Sequence, residues 1–167
     1  MNLVLTLDKE IQYFVEASLK EVVKQQEATA ACAIVMESKT GEILAMASYP
    51  DFDPNLYEKT GNETNFLNRC FRAVYEPGST FKTITIAGAI NEGLIGPESV
   101  FYLPEKIKIG RYTIREAHHR PAGSYTVTQI FEQSMNIGAV KIAEKLGPQK
   151  FYEYISSFGF GSKTGID

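Results

Sequence analysis

Apolar side chains recur at helical intervals near the start of the chain. Ile11, Phe14, Val15, Leu19 and Val22 fall on one side of a 3.6-residue turn, with charged residues between them. Asp8 stands just ahead as an N-cap, so the pattern predicts an amphipathic helix over residues 9 to about 25. The rhythm then changes to two short apolar runs, residues 31–36 and 43–47. Ser38-Lys39-Thr40-Gly41 lies between them as a turn, which predicts a β-hairpin.

Pro50 and Pro54 break the pattern, and residues 51 to about 74 read as a long irregular connection, a feature that is often functional. Helical spacing returns with Phe81, Ile84, Ala87 and Ile90, and Gly93 supplies a stop. Residues 100–103 and 112–114 look like short strands. The polar stretch around Glu116 and His118-His119 reads as a solvated loop with too few ligands for a metal. Thr126 and Gln129 form a capping box ahead of Ile130 and Phe131. Ser134-Met135-Asn136 interrupts that helix. A second helix runs from Ile137 through Val140, Ala143 and Leu146 to Gly147. Pro148 opens a third, with Phe151, Tyr154, Ile155 and Phe158 as its apolar side.

Composition narrows the class without naming a chemistry. At 167 residues, 44% hydrophobic and 22% charged, the chain resembles an ordinary globular domain or a piece of a larger one. A net charge of −3 and the lack of a polybasic run give no case for nucleic acid or a membrane surface. Of the two cysteines, Cys32 lies in an apolar run and reads as a small core residue; a disulfide to Cys70 is one alternative. No stretch is apolar enough to cross a membrane. Met1 leads into the strand-like Leu3-Val4-Leu5 rather than a signal peptide.

The candidate chemistry lies in Tyr75-Glu76-Pro77-Gly78-Ser79-Thr80-Phe81-Lys82. Pro77 and Gly78 make a turn that delivers Ser79 to the first helical turn, and Lys82 follows on the same face, where hydroxyl and amine can meet. A serine needs a base to take its proton, and a lysine serves only when burial or nearby charge lowers its pKa from ~10.4. The helix N-terminus adds N–H groups suited to a developing oxyanion.

With these residues in view, the sequence resembles the transpeptidase domain of the penicillin-binding proteins, a family known by its S-x-x-K, S-x-N and K-T-G elements. Ser79-Thr80-Phe81-Lys82 and Ser134-Met135-Asn136 match the first two in order. The octapeptide around Ser79 is similar to that of the monofunctional, class B enzymes. Leu5-Thr6-Leu7-Asp8, the hairpin, Phe52-Asp53-Pro54-Asn55 and Asn68-Arg69 look like further landmarks. Phe158-Gly159-Phe160-Gly161 and Thr164-Gly165-Ile166-Asp167 resemble the division- or sporulation-type branch. Lys163-Thr164-Gly165 spells the third element, yet it follows Asn136 too closely and lacks a strand context, so it is read as a decoy.

The resemblance implies an α+β penicillin-binding-protein/β-lactamase-like fold, an antiparallel sheet flanked by helices plus a helical subdomain, with only its N-terminal part present. Residues 1–50 would give the first helix and hairpin of the sheet subdomain, and 51–167 the helical subdomain. The hairpin's open edge would then pack against another copy or the rest of the chain. The implied activity is D,D-transpeptidation: crosslinking of peptidoglycan stem peptides through an acyl-serine, with β-lactams acylating the same serine. Ser79 would be the nucleophile, Lys82 its base, Ser134 a proton relay, and Asn136 a hydrogen-bonding group for the acyl side chain and for Lys82. No metal or cofactor is implied. The expected location is the extracytoplasmic face of the inner membrane, with division or elongation proteins as partners of regions outside this sequence. Two alternatives stand beside it: a β-lactamase or β-lactam sensor of the same group, and a non-catalytic fragment with a structural role.

Overall fold

The computed structural model describes residues 4–59 and 61–166; the expectations placed on Leu3 and Asp167 lie outside them. The chain forms two compact α+β units, Met1–Tyr75 and Glu76–Asp167.

The first unit is a helix on a hairpin. Helix α1 (Lys9–Gln25) starts where Asp8 accepts the backbone N–H groups of Glu10 and Ile11. Strands β1 (Ala31–Met36) and β2 (Ile43–Tyr49) pair antiparallel, with β2 running two residues past its predicted end. Gly41 turns the chain with φ 77. Part of the predicted α1 stripe points elsewhere: Phe14 is 70% and Val22 51% exposed, whereas Val23 is buried. The face that meets the hairpin is the Ile11, Val15, Leu19 and Val23 row, i, i+4, i+8, i+12.

Gln12 closes the outer edge of β2. Its side-chain amide donates to the Met46 carbonyl (3.0 Å) and accepts from the Met46 N–H (2.8 Å), as a neighbouring strand would. Thr6 Oγ1 and the Asp8 N–H add bonds to the carbonyls of Ile43 and Leu44, at 2.6 and 2.9 Å.

Cys32 is exposed, contrary to its core assignment, because β1 alternates and Ala31, Ala33 and Val35 take the inner face. Burial, with Cys32 beside it, pushes the Cys70 thiol up to about 11. The connection after β2 is more ordered than its sequence suggests. It holds short 3₁₀ turns at Pro54–Lys59 and Glu63–Phe66 and the one-turn helix α2 (Arg69–Arg72). Arg69 fastens it, donating to the carbonyls of Pro50 (3.2 Å), Leu67 (3.4 Å) and Thr64 (3.4 Å).

The second unit is built around α3 (Lys82–Asn91), α5 (Asn136–Leu146) and α6 (Pro148–Ser157). Between α3 and α5 lie β3 (Val100–Leu103), β4 (Lys106–Ile109), β5 (Tyr112–Arg115), β6 (Gly123–Thr126) and α4 (Val127–Glu132). They form two antiparallel pairs, β3 with β6 and β4 with β5. The core joins Ile86, Ala89, Leu103, Ile130, Met135, Ile137, Ile142 and Leu146. Helix α3 is buried on more than the predicted stripe: Ile84, Thr85, Ile86, Gly88 and Ala89 face inward, and Ile90 is 45% exposed. Along α5, Ile142 is fully buried in place of the expected Val140 and Ala143, which are half-buried. Gly88 and Gly138 admit close helix contact. An added Cβ would meet Tyr154 Cδ2 at 2.9 Å and Ile130 Cγ2 at 2.5 Å, respectively.

Candidate active site

The turn that carries Ser79 is fixed before the helix begins. Pro77 holds φ −65, and Gly78 takes φ 55, a value that favours glycine. Ser79 then falls in a 3₁₀ turn, Gly78–Phe81, rather than in the first turn of the α-helix. The Phe81 ring meets Phe160 edge-on at 5.2 Å and Phe151 at 6.2 Å, so α6 and the Phe-Gly-Phe-Gly turn buttress this segment. Ser79 opens into a cleft of about 570 Å³, which Ser134 and Asn136 also line, together with His118 and His119.

Ser134 is presented by the end of α4. Its N–H bonds back to the Phe131 carbonyl (3.0 Å), and that of Met135 to the Ile130 carbonyl (2.9 Å). This is a Schellman motif, and Met135 and Ile130, both buried, supply its apolar contact. The corresponding residues after α3 and α6 are Gly93 and Gly159, with φ 67 and 86. Ser134 adopts φ 51 with a side chain attached. A left-handed residue with a Cβ carries a backbone cost of about 1–2 kcal/mol. The chain tolerates that cost where the side chain points at the cleft.

The Lys82 amine gathers the other groups. Its Nζ donates to the Ser134 carbonyl (2.5 Å), to Ser134 Oγ (3.1 Å) and to Asn136 Oδ1 (2.7 Å). Those acceptors match the three protons of an ammonium. Burial lowers the Lys82 pKa from the ordinary lysine value, and the charge of Glu116 works against that fall. Asn136 is itself fixed, its Nδ2 donating to the Arg115 carbonyl at 2.9 Å.

The structure thus brings Lys82, Ser134 and Asn136 together and sets Ser79 in the same cleft. Among the described residues no hydrogen bond joins the Ser79 hydroxyl to the Lys82 amine, whose bonds go to Ser134 and Asn136, while the Lys82 backbone N–H bonds to the Ser79 carbonyl. Lys163, Thr164 and Gly165 lie in exposed chain outside the residues that line the cleft. The sequence reading placed Glu116 in a solvated loop and did not single out Arg120; both side chains are instead about nine-tenths buried, because Glu116 caps α5 and pairs with Arg120. Glu116 accepts from the N–H groups of Asn136, through a very short bond, and Ile137, at 3.1 Å. The available signal was negative: Met135, the N-cap residue of α5, has no side chain able to cap, so a partner had to come from elsewhere.

A separable outcome is expected at Ser134. Ser134→Gly should relieve the backbone cost while removing the hydroxyl that Lys82 holds. The variant is expected to melt no lower than the wild type and, with Ser134 as the proton relay that the family resemblance implies, to be acylated by penicillin at least ~10-fold more slowly. Calorimetry beside an acylation assay checks both halves.

The sequence pattern of the penicillin binding protein transpeptidase domain matches residues 31–167. Penicillin-binding protein PbpB of Mycolicibacterium smegmatis is 35% identical over 162 residues, 97% of this chain and 25% of that protein. Stage V sporulation protein D of Bacillus subtilis is 35% identical over 100% of this chain and 26% of its own length. The chain therefore spans about a quarter of the curated relatives it matches. The crystal structure of penicillin binding protein 3 from Mycobacterium tuberculosis superposes with a TM-score of 0.91 at 32% identity, covering 98% of this chain and 37% of that one. The same protein has been solved with ampicillin and with aztreonam.

Proposed function

The chain belongs to the penicillin binding protein transpeptidase domain family, and from that premise we propose that it forms part of a serine D,D-transpeptidase that crosslinks peptidoglycan stem peptides. The observation that carries this reading is the Lys82 amine, partly buried, held by Ser134 and Asn136, in a cleft lined by Ser79. In its neutral form Lys82 takes the Ser79 proton as the hydroxyl attacks the carbonyl of the penultimate D-alanine. Ser134 passes a proton to the departing D-alanine amine. The Ser79 N–H supplies one oxyanion donor. Asn136 holds Lys82 and meets the acyl side chain. An amine of a second stem peptide then takes the acyl group, and β-lactams enter the same serine as mimics of the D-alanyl-D-alanine end.

These residues work as part of a longer polypeptide that supplies the K-T-G element and the second oxyanion donor. The protein acts in the cell envelope, on the extracytoplasmic face of the inner membrane, with division or elongation proteins as partners.

The test is intact mass spectrometry of the whole encoded polypeptide after incubation with penicillin, followed by peptide mapping. A long-lived adduct of one penicillin on Ser79 is expected. An adduct that hydrolyses within seconds would mark a β-lactamase instead, and no adduct at all would sink the reading.

A further inference from the structure

The N-terminus of α5 has no cap of its own, because Met135 offers no acceptor. The carboxylate of Glu116 takes that place from another part of the chain, accepting the first two N–H groups of the helix through its two oxygens. Glu116 is held in turn. Arg120 lies 3.5 Å from it, and both side chains are about nine-tenths buried. Arg120 donates to the carbonyls of Leu103 (3.3 Å), Pro104 (2.9 Å) and Pro121 (2.8 Å), and its guanidinium lies 4.8 Å over the Tyr125 ring. A connected path therefore runs from Tyr125 and Arg120 through Glu116 to the backbone of Asn136, whose side chain holds Lys82.

The geometry points to Glu116 as a positioning residue for the acylation step: by fixing the first turn of α5 it sets Asn136 against the Lys82 amine. It lines the cleft that Ser79 opens into, but its own bonds go to the α5 backbone and Arg120 rather than to Ser79 or Lys82. Its burial beside an arginine makes loss of either partner costly, since the other charge is then left buried without its partner. This rests on the transpeptidase reading of the same site. A glutamine in its place keeps the shape but turns an N–H₂ toward a helix N–H, so one contact becomes repulsive. Aspartate keeps the charge on a shorter arm.

The experiment is penicillin acylation of the whole encoded polypeptide, resolving the first-order acylation constant from the binding constant. The variants are Glu116→Gln, Glu116→Asp, Asn136→Ala and the double variant that combines Glu116→Gln with Asn136→Ala. Glu116→Gln is expected to lower the first-order constant at least ~10-fold, with penicillin binding little changed and partial recovery in Glu116→Asp. In the Asn136→Ala background the same change should cost less than ~3-fold, because the path through Asn136 is already cut. Folded Glu116→Gln protein that acylates at the wild-type rate would overturn the proposal and leave the transpeptidase reading intact. Equal costs in both backgrounds would overturn it as well, reducing Glu116 to a structural cap. Should Glu116→Gln not fold, the comparison of Glu116→Asp with and without Asn136→Ala decides in the same way. Wild-type protein that takes no penicillin would remove both readings together.

Discussion

Lys82→Met is expected to slow penicillin acylation of Ser79 by roughly 10²–10⁴-fold, the range a positioned general base contributes. Methionine keeps an unbranched side chain, one atom shorter, while removing the amine that Ser134 and Asn136 share. The protein should still bind penicillin, because the cleft lining is untouched. The loss therefore falls on the first-order step. The wild-type pH profile belongs to the same prediction. Lys82 serves as a base only when neutral, and burial lowers its pKa from the ordinary lysine value, so the rate should rise with pH through a limb below ~10.4. Methionine at this position should abolish that limb. A profile that rises with the same limb in Lys82→Met would assign the base to another residue.

Gly138→Ala should destabilise the second unit by about 1–3 kcal/mol, the usual cost of forcing a methyl into a packed core. The new Cβ would sit 2.5 Å from Cγ2 and 2.8 Å from Cγ1 of Ile130, itself fully buried, so α4 and α5 have to separate. Those helices flank Ser134-Met135-Asn136, and the Ile130 carbonyl also accepts the Met135 N–H. Loss of stability should therefore come with slower acylation in the protein that remains folded. Gly88→Ala is the comparison. There the nearest atom is Tyr154 Cδ2 at 2.9 Å, on a half-buried ring near the end of its helix, and the effect should be smaller. Chemical denaturation midpoints read the first effect and acylation of folded protein the second.

Local signals carried far in this chain. Asp8, Thr126 with Gln129, Gly93 and Pro148 mark helix ends by chemistry that acts over three or four residues, and each stands where it was expected. Ser79, Lys82, Ser134 and Asn136 were legible because their spacing is also a motif. Signals that depend on distant partners were not legible. The exposure of Phe14 follows from which face of α1 the hairpin takes, and that of Cys32 from the alternation of β1. Strand β6, Gly123-Ser124-Tyr125-Thr126, has no apolar rhythm and exists because β3 lies beside it. Strand β4 did carry a period of two in Lys106-Ile107-Lys108-Ile109, short enough to pass for loop. Glu116 caps a helix 20 residues further along the chain, a relation no local rule encodes.

The amide of Gln12 has a bearing on how copies of this chain can associate. A bare hairpin has two sticky sides, and such a unit polymerises, since each added copy presents a fresh side to the next. Gln12 takes up the outward N–H and carbonyl of Met46 on β2, leaving β1 as the side with no strand beside it among the described residues. The valence falls from two to one. A second copy pairing through β1 would close the assembly at two, with no open side at Met46 left to seed a fibre.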